Sequence, residues 1–145
     1  MNFFTAMDIS ASGLTAQRNR MNLIAMNLSH MHTSRTPDGG PYRRKLPIFT
    51  AAPLAQGRSG QFASRLDREL EDVKLTKVVN DRRDFKLVFD PSHPDADEFG
   101  YVLLPNINVI EEMVDMISAK RSYEANVTAV TASQNMALTS LEILK

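Results

Sequence analysis

After Pro105 this 145-residue chain contains neither proline nor glycine up to its last residue, Lys145. A stretch of that length without a breaker can hardly be anything but one helix with no internal stop. Asn106 or Asn108 can cap its start, and Glu111, Glu112 and Asp115 place negative charge in the early turns, where the helix dipole favours it. Val109, Met116, Tyr123, Val130, Ala137 and Leu144 recur every seventh residue, and Met113, Val127 and Leu141 follow four residues after alternate members. The spacing predicts an apolar stripe along the whole helix, interrupted at Lys120 and Gln134 in its second row. Ile110, Ile117 and Leu138 widen the stripe, so more than one apolar neighbour is expected. At 1.5 Å per residue such a helix extends ~55 Å. A compact globule of this chain length is only ~40 Å across. The helix must therefore project and lie against something.

The other end offers one partner. From about Phe3 to Met31 there is no proline, and Met7, Leu14, Met21 and Leu28 again fall at intervals of seven, with Ala11, Ile24 and Ala25 beside them. Gly13 and several serines weaken this helix, so it is expected to depend on a neighbour for its order.

Between the helices, Pro37, Gly39, Gly40, Pro41 and Pro47 impose turns. Short strand signals follow in "LPIFT", in "VKLTKVV" with Val73, Leu75 and Val79 on one parity, and in "FKLVF" with Phe85, Leu87 and Phe89 on one parity. "APLAQGRSGQ" reads as a mobile loop, "LDRELEDV" is too charged to assign, and "DPSHPDADEFGY" is a turn-rich acidic segment. With few large apolar residues available, the β region is expected to be small.

Composition excludes several function classes. Seventeen basic and seventeen acidic residues give zero formal net charge, so nothing favours nucleic acid, and Arg43–Lys45 and Lys120–Arg121 are isolated basic clusters. Cysteine is absent, which removes disulfides and thiolate chemistry. His30 and His32 alternate by two on a helix and lack further ligands, so no metal site is expected. "PDGGPYRRK" lacks the spacing of a phosphate loop and reads as a turn. Carboxylates between Asp67 and Glu98 are mixed with Arg and Lys, as on a solvated face, and no pair stands out for acid–base work. The expectation is a protein that is not an enzyme and that takes no cofactor and no small-molecule substrate. No basic start with an unbroken apolar core opens the chain, so export without a cleaved signal is expected if the protein leaves the cytoplasm.

The residues also carry a pattern. "SGLTAQRNRMNLIAMNLSH", with Leu14, Ala16, Gln17, Asn22, Asn27 and Leu28, resembles the opening helix of bacterial flagellar rod and hook proteins. "DPSHPDADEFGYVLLPNINVIEEMVDMISAKRSYEANVTAV" is similar to the C-terminal signature of that family, through Asp90, Pro91, Pro94, Ala96, Gly100, Tyr101, Val102, Pro105, Asn106, Asn108, Glu112, Met113, Arg121, Ser122, Tyr123, Ala125 and Asn126. The short length and "PDGGPYRRK" match the proximal-rod type. One departure is His30, at the second asparagine of the family's Asn-Leu-x-Asn, which puts the cap or turn at that helix end in question.

The resemblance implies a structural subunit exported unfolded by the flagellar type III apparatus and assembled in the periplasm into the proximal rod. Its implied partners are other copies of itself, other rod proteins, the junction proteins at the rod base and export gate, and the export apparatus in transit. The sequence thus predicts an α+β chain whose long terminal helices, in 1–34 and 106–145, form a coiled-coil-like pair around a small β-rich middle region, 35–105. The expected assembly interface comprises Met7, Leu14, Met21, Leu28, Val109, Met113, Met116, Tyr123, Val127, Val130, Leu141 and Leu144. Two readings compete with it: a self-sufficient helical hairpin, and a cytosolic adaptor or export chaperone that forms a discrete dimer.

Overall fold

The computed structural model describes residues 3–37, 39–53 and 70–143. The expected mobile loop and the first part of "LDRELEDV" lie mostly outside the described residues, as does Leu144. Helix α1 spans Phe3–Ser29, strands β1 and β2 span Lys45–Pro53 and Glu71–Asn80, strands β3 and β4 span Lys86–Phe89 and Tyr101–Leu104, and helix α2 spans Val109–Ile143. The chain is α+β, with two long terminal helices and a small antiparallel middle region.

Asn108 caps α2, its side-chain oxygen accepting the Ile110 N–H at 3.1 Å and its carbonyl the Glu112 N–H at 3.0 Å. The two helices pack antiparallel: Asn27 near the end of α1 meets Glu112 near the start of α2, and Gly13 lies opposite Asn126. A Cβ at Gly13 would stand 2.9 Å from the Asn126 amide nitrogen, so glycine lets the helices approach closely there.

The first row predicted on α2 faces α1, with Val109, Met116, Tyr123, Val130 and Ala137 half-buried. Its second row differs from expectation. The positions that complete the seam are Glu112, Ala119, Asn126 and Ser133, three residues after the first row rather than four, while Met113, Val127 and Leu141 are exposed. On α1 the deepest positions are Ala16, Ile24 and Asn27, and Met7, Leu14, Met21 and Leu28 are half-buried. The deepest side chains that α2 brings to the seam, Glu112, Ala119 and Ser133, are small or polar, and an apolar repeat is blind to them.

β1 and β2 form a hairpin from Lys45↔Asn80 to Pro53↔Glu71, with a bulge between Ile48 and Phe49. It packs on α1, and the Ser12 hydroxyl accepts the Val73 N–H at 3.1 Å, covering part of the edge of β2. The bulge disturbs the alternation expected for β2: Leu75 and Val79 are half-buried, but Val73 is 40% exposed. β3 and β4 form a second, short hairpin, in which Leu87 pairs with Leu103 and Phe89 with Tyr101. Here the expected parity is reversed. Val102 is buried and Val88 half-buried, whereas Leu87 and Phe89 face solvent. β4 has no counterpart among the sequence-derived strands, because four residues ending at Pro105 carry too little pattern. Gly100 enters it at φ 79°, a conformation that favours glycine, with Phe89 and Pro91 atoms 3.0 Å from where a Cβ would be.

Candidate functional site: a buried polar latch

The largest fully buried side chain belongs to Glu112, on the first turn of α2. A buried carboxylate is costly unless it is paired and hydrogen-bonded. Glu112 is both. Its Oε1 accepts from the Arg44 guanidinium and its Oε2 from the Asn27 amide at 3.2 Å. The charge expected to serve the helix dipole is instead the centre of a latch joining both helices to the start of β1.

Arg44, only 6% exposed, is the hub. Besides Glu112, its guanidinium lies 3.4 Å from Asp115, 3.5 Å from Asp81 and 3.6 Å from Glu111. The fork of a guanidinium can serve several carboxylates at once, which a lysine ammonium on its flexible stem cannot match in geometry. Further pairs frame it: Arg20 with Asp115 at 3.0 Å, and Arg83 with Asp81 at 2.8 Å and Glu111 at 3.1 Å. "RRK" is therefore not a surface patch. Arg44 is interior, while Arg43 lies over the Phe85 ring, 4.2 Å from its centroid.

Two asparagines tie the backbone in. The Asn27 amide nitrogen also donates to the Lys45 carbonyl at 3.0 Å, and its oxygen accepts the Lys45 N–H at 3.0 Å and the Tyr42 hydroxyl at 3.1 Å. Asn106 accepts the Arg44 N–H at 2.9 Å and donates to the Arg83 carbonyl at 3.1 Å. The His30 ring stacks on Tyr42 at 4.6 Å between centroids and 17° between planes, and its Nδ1 lies 3.2 Å from the Thr33 hydroxyl. The histidine that departs from the family pattern thus closes the helix end by covering Tyr42. A cleft of about 220 Å³, lined by Ile24, Leu46, Pro47 and Phe49 beside the charged groups, opens next to the latch.

Electrostatics follow the geometry. Burial alone would raise the Asp81 carboxyl, but the Arg83 backbone N–H and guanidinium, helped by Arg44, hold it below the ordinary carboxylate value. The Tyr42 hydroxyl is pushed up by burial and by the nearby Glu112 carboxylate. Asp81 therefore stabilises the fold above the ordinary carboxylate range, and that contribution is lost as pH falls through its depressed value. Urea midpoints measured across the acid range are expected to fall below about pH 4. Asp81→Asn should flatten that fall; an unchanged slope in the variant would count against Asp81 as its source.

The latch was not among the predicted site residues. Asn27, Pro105, Asn106 and Glu112 carried the family resemblance, however, and all four are buried here. Of the predicted residues, Val109, Met116, Tyr123 and Val130 face α1 along the seam, Met7, Leu14, Met21 and Leu28 are half-buried on α1, and Met113, Val127 and Leu141 are 53%, 42% and 61% exposed. Among the described residues no helix is long and apolar enough to cross a membrane.

Known proteins share this arrangement of sequence. Residues 100–143, which hold β4 and α2, match the family model described as the C-terminal part of flagellar basal body rod FlgEFG proteins. Over its whole length the chain is 44% identical to the flagellar basal-body rod protein FlgC of Borreliella burgdorferi, covering 99% of that protein. It is 41% identical to FlgC of Bacillus subtilis, with both chains fully covered. It is 36% identical to FlgC of Escherichia coli, covering 99% of this chain and 98% of the relative. Identity at this level extends over essentially the full length of both chains, and on that ground the chain belongs to the family of the flagellar basal-body rod protein FlgC.

Proposed function

We propose that this structural subunit of the basal-body rod is exported unfolded by the flagellar type III apparatus, without signal cleavage. It then polymerises in the periplasm through its terminal helices. Its partners are other copies, other rod proteins and the proteins at the junction of the rod base with the export gate. Packed in parallel, many such helices give the stiffness that transmitting torque requires.

The observation that carries this reading is the outer face of α2. Ile110, Met113, Val114 and Ile117 are 53–73% exposed on its first turns, beside a seam to which α2 contributes Glu112, Ala119 and Ser133 at its deepest positions. Contiguous apolar surface on a protein built to be soluble alone would be a liability, whereas neighbours in a polymer would cover it. The half-buried rows Met7–Leu28 and Val109–Val130 flank the same helix pair and would share contacts within and between subunits.

Hydrogen exchange on the purified chain tests the proposal. The latch end of the helix pair, near Asn27 and Glu112, should be protected. The far ends, near Met7 and Leu138, should exchange fast until assembly orders them. Uniform strong protection along both helices in a discrete, non-assembling dimer would favour the adaptor instead.

A further inference from the structure

Methionine supplies all the sulfur in this chain, which has eight of them and neither cysteine nor tryptophan. A two-electron oxidant such as hydrogen peroxide therefore meets the thioethers before other side chains. They are not equally open to it. Among the described residues Met113 and Met136 are 53% and 64% exposed, whereas Met7, Met21, Met26, Met31 and Met116 are half-buried. Both exposed sulfurs belong to α2 and lie away from its seam with α1, which takes Glu112, Met116, Ala119 and Ser133.

The two differ in what surrounds them. On a helix a side chain borders those three and four positions away. For Met113 these are Val109, Ile110, Met116 and Ile117, all apolar, and Ile110 and Ile117 are exposed with it. For Met136 they are Ala132, Ser133, Thr139 and Ser140, small or polar, and the Thr139 and Ser140 hydroxyls donate to the carbonyls of Asn135 and Met136. An oxygen added to Met136 joins a surface that is already polar. An oxygen added to Met113 places a polar group within an apolar face, between Ile110 and Ile117.

We propose that Met113 is an oxidation-sensitive site on the outer face of α2, taken to the sulfoxide by peroxides. The sulfur lone pair attacks one peroxide oxygen, the O–O bond breaks, an S–O bond forms, and after proton transfer water leaves. Sulfur gives up two electrons and the peroxide accepts them. The product stands outside the fold, because Glu112, next to Met113 in sequence, is turned about 100° away into the latch. The oxidised chain keeps its structure and loses the apolar continuity of its outer face. The consequence for assembly rests on the polymerising reading above, in which neighbours cover that face, and deepens it by making the coverage depend on the oxidation state of one residue.

Timed exposure of the purified chain to dilute hydrogen peroxide, followed by peptide mass spectrometry, reads the chemical step. Met113 and Met136 are expected to gain oxygen several-fold faster than Met21 and Met116, with the urea midpoint unchanged while only those two have reacted. Equal rates at Met113 and Met116, or a midpoint that falls as Met113 reacts, would overturn the site.

In cells glutamine, similar in length and polar, stands in for the sulfoxide. Met113→Gln should lower the amount of the chain in purified basal bodies several-fold, and Met136→Gln should not. Met113→Leu, apolar but without sulfur, should incorporate several-fold better than Met113→Gln, which ties the loss to polarity. Equal incorporation of the two glutamine variants overturns the role of Met113 in assembly; if Met116→Glu is still kept out of rods, the polymerising reading stands. Normal incorporation of Met116→Glu as well would overturn that reading itself.

Discussion

Arg44→Met is expected to lower the unfolding free energy by about 3–5 kcal/mol, out of a total of roughly 5–15 for a domain of this kind. The substitution keeps most of the side-chain stem, so the loss comes from charge and not from volume. Glu112 would remain fully buried with the Asn27 amide as its one polar partner, and Asp81, Glu111 and Asp115 would lose the cation they share.

Glu112→Gln should cost less than half as much, because Arg44 keeps three other carboxylates within 3.6 Å and the amide oxygen can still accept a bond. Arg44→Met combined with Glu112→Leu should recover part of the loss, since a buried pair replaced by apolar groups is often tolerated better than a broken one. Urea unfolding followed by helical signal, with Glu112→Leu alone as the remaining corner, closes this cycle. A loss below 1 kcal/mol for Arg44→Met would show that the cluster is solvated rather than structural.

Met116→Glu should remove the chain from assembled rods altogether and leave cells non-motile. Met116 lies half-buried on the seam between Glu112 and Ala119, one turn beyond Glu112 and next in sequence to Asp115. A further carboxylate there meets no free arginine, since Arg20 is engaged with Asp115, Arg44 already faces four carboxylates and Arg83 bonds to Asp81 and Glu111, and Lys120, four residues on, is exposed and pairs with Glu124 at 3.7 Å. The new charge must enter the seam unpaired, at several kcal/mol, or turn outward toward Lys120 and leave the seam without its apolar filling. Either outcome removes the paired surface on which the proposed polymerisation depends. Immunoblots of purified basal bodies and swimming assays would read the effect; normal incorporation would mean that the helix pair is not the assembling unit.

The helices and the first α2 row were legible in the sequence because apolar residues repeat and breakers are absent. Val109, Met116, Tyr123 and Val130 announce their face by spacing alone. The second row was not legible, because periodicity weighs hydrophobicity while Glu112, Asn126 and Ser133 enter the seam through partners or small size. Glu112 reads from sequence as an ordinary first-turn acid; only Arg44, far along the chain, makes it an interior residue. Asp81 was hidden in the same way among carboxylates that look solvated. Strand parity failed on β3 because both faces of its hairpin are apolar, so alternation could not say which was inside.

The latch also has a bearing on timing. It draws its members from α1, from the start of β1, from the end of β2 and from the first turns of α2, with 68 residues between Arg44 and Glu112 and 85 between Asn27 and Glu112. Closing such long loops costs entropy before any contact repays it. In the export proposed above, a chain whose first half has emerged from a narrow passage would have Asn27 and Arg44 but nothing for them to grip. It stays pliable until Glu112 and Asp115 follow, and then the separate segments lock in one step. On the proposed export route, the residues that hold the finished molecule together would therefore also delay its folding.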